Sequence, residues 1–183
     1  MINKILIAVD RTQNNKFVFD TAVSLAKTTS ANLMLLHILS KNESEHPVIP
    51  SYNYYSIIEE PNYETYQQEY ARYVQHGIDF LKDLNYEATT AGVSTEYIQL
   101  AGHPGRIICE LANNWTADLI LVGSRGLKGL KEMFLGSVSN YVTHHAPCSV
   151  LIVRHPVDIN TEPISSELEK ANSELPIMHS IQF

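Results

Sequence analysis

Glycines and hydroxyl residues stand at a spacing that suits phosphate in the second half of this chain. Gly123-Ser124-Arg125-Gly126 is followed by nine residues and then by Gly136-Ser137-Val138-Ser139. The apolar run Leu119-Ile120-Leu121-Val122 precedes this segment, and a helix-patterned stretch from Val138 to His145 closes it. A strand that empties into a glycine-punctuated loop and then into a helix can cradle an anion. Glycine permits positive φ and lets a ligand approach the backbone closely. A helix start offers N–H groups without intrahelical acceptors and the positive end of the dipole. Arg125, Lys128 and Lys131 stand against Glu132 alone, so the loop is locally basic. A second polar group, Asp10, ends the apolar run Ile5 to Val9. Spacing alone leaves simpler roles open, because an Asp at a strand end also serves turns and Ser is a favoured N-cap.

The usual motifs that spend a phosphate are missing. No G-x-x-x-x-G-K-[ST] and no G-x-G-x-x-G occurs, so neither a Walker A loop nor a dinucleotide fingerprint is present. The turn after the first apolar run reads Asp10-Arg11-Thr12-Gln13 and lacks S-G-G-x-D-S, and no H-x-G-H occurs. His144 and His145 are adjacent on a helix and point about 100° apart, which suits no shared metal ion. Tyr52, Tyr54, Tyr55, Tyr63, Tyr66, Tyr70 and Tyr73 form a cluster. It is read either as an interface or as packing of a long loop onto the body.

These groups need strand ends and helix starts to position them. Ile5 to Val9, Leu33 to Leu39, Val93 to Leu100, Leu119 to Val122 and Ser149 to Val153 read as strands. Helical spacing marks Asn14 to Thr28, about six turns from Tyr66 to Leu84, the segment after Pro104, and Val138 to His145. Ser40 to Pro61 reads as a long loop. The alternation predicts an α/β fold, an open five-stranded parallel sheet with helices on both faces, Rossmann-like in type. Ligands of such sheets bind beyond the carboxyl ends of the strands, where strand order reverses. Asp10, Ser40 and Gly123 all fall at such ends.

The 183 residues suit one domain with an appendage, and 44% are hydrophobic, a globular proportion. The body is assigned to residues 1–154. Residues 155–183 carry Asp158, Glu162, Glu167, Glu169 and Glu174 against Lys170 and read as an acidic tail, extended or partly helical. The net charge of −7 argues against nucleic acid as a partner. No run approaches the roughly 18 apolar residues of a membrane span. No signal-peptide pattern is evident at the start, so the expected location is cytoplasmic. Cys109 and Cys148 read as buried thiols.

Several ordered segments resemble one family, the universal stress proteins, in its ATP-binding branch. They are Lys4 to Asp10, Leu35-Leu36-His37-Ile38, Gly102-His103-Pro104, Ala117 to Gly126, the G-x2-G-x9-G-S spacing, and Ala146 to Val153. The resemblance runs from about Ile2 to Arg154 and implies an adenine-nucleotide site. Under it, Asp10 would bond adenine or ribose, Ala8 and Val9 would wall the base, and the Ile38 backbone would meet its edge. Val122 and Gly123 would line the ribose, and Gly126 would let the chain pass the phosphates. Gly136, Ser137, Val138 and Ser139 would wrap them, with Arg125 and Lys128 adding charge-assisted bonds. A divalent cation such as Mg²⁺ would ride on the phosphates.

The resemblance also implies a homodimer joined through Ser149 to Val153, which falls at the expected sheet edge. The expected function is a stress-response sensor or regulator that holds ATP without rapid turnover. One alternative is slow ATP hydrolysis or phosphate transfer, with Asp10, Ser137, Ser139 and His103 as the only candidates. Another is sensing of AMP or a cyclic adenine nucleotide through a protein partner.

Overall fold

A computed structural model describes residues 1–12, 15–40, 47, 63–124 and 135–154. The elements are β1 (Lys4–Val9), α1 (Asn15–Thr29), β2 (Asn32–Leu39), α2 (Tyr63–Thr90), β3 (Thr95–Ala101), α3 (Pro104–Trp115), β4 (Leu119–Gly123), α4 (Ser137–His145) and β5 (Ser149–Val153). All strand pairings are parallel, and the order across the sheet is β3-β2-β1-β4-β5. The chain builds outward from β1 to β3, then returns to lay β4 beside β1. The reversal of strand order therefore falls between β1 and β4, as the α/β pattern predicts.

Alternation along the central strands divides their apolar side chains between two cores. Ile5, Ile7, Leu33, Leu35 and Leu121 pack against Val18, Phe19 and Ala22 of α1 and Leu81, Leu84 and Ala88 of α2. Leu6, Met34, Leu36, Ile120 and Val122 pack against Ile108 and Ala112 of α3 and Val142 of α4. Strands covered on both faces carry apolar residues at nearly every position, which is why β1, β2 and β4 stand out in the sequence.

The largest difference from expectation lies in α2, which has 28 residues rather than about six turns. Its extra C-terminal turn buries only the small Ala88, a weak periodic signal. The helix ends in a Schellman motif. Gly92 takes φ 87°, its N–H donates to the Thr89 carbonyl, and the Val93 N–H reaches back to the Ala88 carbonyl. That bond takes Val93 out of β3, which starts at Thr95 instead. The expected loop from Ser40 to Pro61 lies outside the described residues except at Ser40 and Pro47, and the tail 155–183 lies wholly outside them.

Candidate functional site

The carboxyl ends of four strands and the starts of three helices surround a cavity of about 750 Å³. Ala8, Val9 and Asp10 enter it from the end of β1, Ile38, Leu39 and Ser40 from β2, and Ala101 and Gly102 from β3. Val122, Gly123 and Ser124 enter from β4, and Gly136, Ser137, Val138 and Ser139 from the start of α4. Ten of the twelve residues expected to form a site thus line one cavity. The other two, Arg125 and Gly126, lie outside the described residues, as do Lys128 and Lys131.

The β1 end is held by local hydrogen bonds. The Asp10 backbone N–H donates to Oδ1 of the buried Asn15 at 3.2 Å, which fastens the strand end to the start of α1. One Asp10 carboxylate oxygen accepts from both the Thr12 N–H and the Thr12 hydroxyl. This Asx-type turn fixes the direction of the carboxylate at the mouth of the cavity.

The opposite wall is the start of α4. Gly136 occupies the N-cap at φ −59° and ψ 158°, with no side-chain cap. Positive φ, the property for which glycine was invoked in this loop, is therefore not used at Gly136. The described glycines that use it are Gly92 and Gly102. What Gly136 supplies is an uncapped helix start whose first N–H groups have no intrahelical acceptor. Gly123 serves packing, since a Cβ there would lie 3.1 Å from Val18 Cγ2. The Ser139 hydroxyl is buried and donates to the Gly136 carbonyl at 3.0 Å, whereas Ser137 is exposed. Ser137 is thus the hydroxyl at the surface of this end.

Other candidates sort themselves by position. His103 lies at the N-cap of α3 and lines the cavity without capping the helix through its side chain. Tyr70 of α2 also lines the cavity, a position that its place in the tyrosine cluster did not indicate. His145 stacks on Tyr141 with centroids 4.0 Å apart, and its Nδ1 lies 2.8 Å from the Tyr141 carbonyl. Among the described residues no group of three or more His, Cys, Asp or Glu could hold a metal ion. Burial pushes the Cys109 and Cys148 thiols up, which keeps them protonated and poorly nucleophilic at neutral pH. No described helix is long and apolar enough to cross a membrane.

Comparison with known proteins adds a family. The family model described as the universal stress protein family matches residues 1–154. The universal stress protein Sll1388 of Synechocystis is 40% identical over 158 residues, covering 83% of this chain and 97% of that protein. Among solved structures, the hypothetical protein MJ0577 superposes with a TM-score of 0.67 at 22% identity, covering 86% of this chain and 99% of its own. A universal stress protein family protein from Arabidopsis thaliana with AMP bound superposes with a TM-score of 0.56 at 22% identity, covering 89% and 98% of the two chains. At that identity the structural likeness speaks for the fold.

Proposed function

The chain belongs to the universal stress protein family, and on that premise we propose that its cavity holds an adenine nucleotide, ATP in the first instance, as a stress-response signal. The observation that carries this reading is the polarity of the cavity along the strand ends. At one end, by β4 and α4, the helix start has no side-chain cap, and its first N–H groups suit an anion. At the other, by β2 and β3, the walls are Ile38, Leu39, Ala101 and the Tyr70 ring. From β3 to β4 there are three interstrand steps, or about 14 Å. A ligand with a charged head and a flat apolar body fits that distance. Ala8, Val9 and Ile38 wall the base, Asp10 bonds its edge or the ribose, and Val122 and Gly123 line the sugar. Gly136, Ser137 and Val138 hold the phosphates. The AMP in the Arabidopsis neighbour agrees with this ligand class.

The protein holds the ligand rather than consuming it. Phosphoryl transfer needs a positioned base or water-orienting group and charge stabilisation at the γ-phosphate. The described cavity residues offer Asp10, already tied to Thr12, His103 at the α3 start, Ser137, and Ser139, whose hydroxyl is tied to the Gly136 carbonyl. Any Mg²⁺ is carried by the phosphates themselves, since this ion needs few protein ligands. Occupancy stabilises the folded chain by mass action and so becomes the signal. The working form is a cytoplasmic homodimer, and the acidic tail, residues 155–183, is an appendage to the binding domain.

Ser137→Asp tests the site without confusing binding and folding. An acid in the first turn favours the helix dipole, so the free protein keeps or slightly gains stability. The same charge repels a phosphate. ATP should raise the melting temperature of the wild type and leave that of Ser137→Asp unchanged. An equal rise in both proteins would remove the phosphates from this helix start. A rise with AMP or cyclic AMP and none with ATP would favour the monophosphate reading.

A further inference from the structure

We propose that Tyr70 is the aromatic wall of the base subsite, through which the pocket selects phosphates that carry a base over those that do not. The inference rests on the adenine-nucleotide reading above and adds to it a residue from outside the strand-end loops. Its basis is the height of α2 against the sheet. Gly77 is level with His37, because a Cβ at Gly77 would lie 2.8 Å from His37 Nδ1. Helix α2 runs opposite to the strands, as a crossover between parallel strands requires. Tyr70 is seven residues nearer the helix start, or about 10 Å at the helical rise. Ser40 is three residues past His37, or about 10 Å at the strand rise. The two therefore meet at one level, and both line the cavity. The earlier turns of α2 overhang the end of the sheet.

The Tyr70 ring is braced by two neighbouring tyrosines. Tyr66 stacks on it with centroids 6.2 Å apart and planes 24° from parallel. Tyr73, which is buried, lies with its ring centroid 6.2 Å from that of Tyr70 and its plane tilted by 51°. One turn further on, the Gln99 side-chain amide donates to the Val74 carbonyl at 3.1 Å, which ties this part of α2 to β3. A ring held in this way costs little entropy when a ligand packs against it. Tyr70 stands by β2 and β3, at the end of the cavity remote from α4. Aromatic contact tolerates any base, so Tyr70 reads the presence of a flat ring and leaves adenine identity to the backbone and Asp10.

The test is calorimetric titration of the full chain with AMP and with ribose 5-phosphate, for wild type, Tyr70→Phe and Tyr70→Leu. We expect Tyr70→Phe to bind both ligands within about twofold of wild type. Tyr70→Leu should lose roughly tenfold in AMP affinity and keep its ribose 5-phosphate affinity. Wild-type affinity for AMP in Tyr70→Leu, or an equal loss for both ligands, would overturn the proposal and leave the nucleotide reading standing. If wild type binds neither ligand, the nucleotide reading falls and this proposal with it. A second measurement needs no destabilised variant. Transferred NOEs should connect adenine H2 or H8 to a tyrosine ring in wild type and to phenylalanine shifts in Tyr70→Phe, and their absence would also overturn the assignment.

Discussion

Gly77 and His37 touch so closely that no other residue type fits at position 77 without displacement. An added Cβ would lie 2.8 Å from Nδ1 and 2.9 Å from Cε1 of an imidazole that is wholly buried in β2. It would also strike the Gln99 side chain, which lies 3.4 Å from the same nitrogen and donates to the Val74 carbonyl. Phe80 packs edge-on against the imidazole at 5.9 Å, so the ring has little room to retreat. Alanine would gain about 1 kcal/mol in helix propensity. Overpacking a buried ring costs about 1–3 kcal/mol, and release of Gln99 adds to it. Gly77→Ala should therefore lower stability by about 1–2 kcal/mol, a fall of several degrees in Tm, measured by calorimetry. A stabilised variant would mean that α2 does not rest on the sheet at this point.

An exposed ion pair between α2 and the body should matter much less. Lys16 of α1 pairs with Glu87 of α2 and, at 2.9 Å, with Asp20. The Glu87 and Asp20 carboxylates raise its pKa, yet its side chain is 56% exposed. Exposed pairs of this kind contribute about 0–1 kcal/mol and are screened by salt. Lys16→Met should change the denaturation midpoint only slightly, and the difference should vanish at high ionic strength. A loss as large as that of Gly77→Ala would reverse this ranking of the two contacts.

Asp118 gives the fold an acid-sensitive fastening. Its Oδ2 accepts the backbone N–H groups of Asn3 at 2.8 Å and Lys4 at 3.0 Å, while its own N–H donates to the Lys4 carbonyl at 2.9 Å. These bonds hold its carboxyl below the ordinary value of 3.8. A depressed folded pKa contributes stability that is complete above the unfolded value and is lost as pH falls through the folded one. Asp118→Asn should melt below wild type at pH 7, with a gap that stays constant down to about pH 5. The gap should close as the pH drops below 3.8 and wild type protonates. A gap independent of pH across melting curves from pH 7 to pH 3 would show that the charge of Asp118 is immaterial.

Much of the sheet was legible because β1, β2 and β4 are covered on both faces, which forces runs such as Ile5-Leu6-Ile7 and Leu119-Ile120-Leu121. Loop residues at strand ends were legible through topology, which brings Asp10 and Gly123 to the β1/β4 reversal whatever their side chains do. The role of Asn15 was not. Its amide meets the Asp10 N–H only because α1 turns back at Thr12, a geometry that no spacing encodes. Tyr70 was hidden for a similar reason. Its periodicity with Tyr66 and Tyr73 announces a helix, but its height over the sheet is set seven residues away by contact of Gly77 with His37. Ser139 lines the cavity, but the direction of its hydroxyl was not legible. Its place in the glycine motif suggested a phosphate contact, and its hydroxyl turns inward to close the first turn of α4.

Among the described residues the sheet ends on β3 at one edge and on β5 at the other. Unpaired edge backbone invites association unless charge or covering blunts it. β3 carries Glu96 and is packed by α2, two such devices. β5 reads Ser-Val-Leu-Ile-Val, with no charge anywhere along it, and Leu151 is 38% exposed. If the homodimer forms through β5, a second copy would cover that leucine and satisfy the edge. Leu151→Lys places an ammonium at the centre of this strand without removing a core contact, since Val150 and Ile152 face the α3 and α4 side. Light scattering should then report the mass of two chains for wild type and of one chain, 20.6 kDa, for the variant. The melting temperature of the variant at high dilution should match that of wild type, because only association has been removed. A dimer that survives Leu151→Lys would move the interface off this edge.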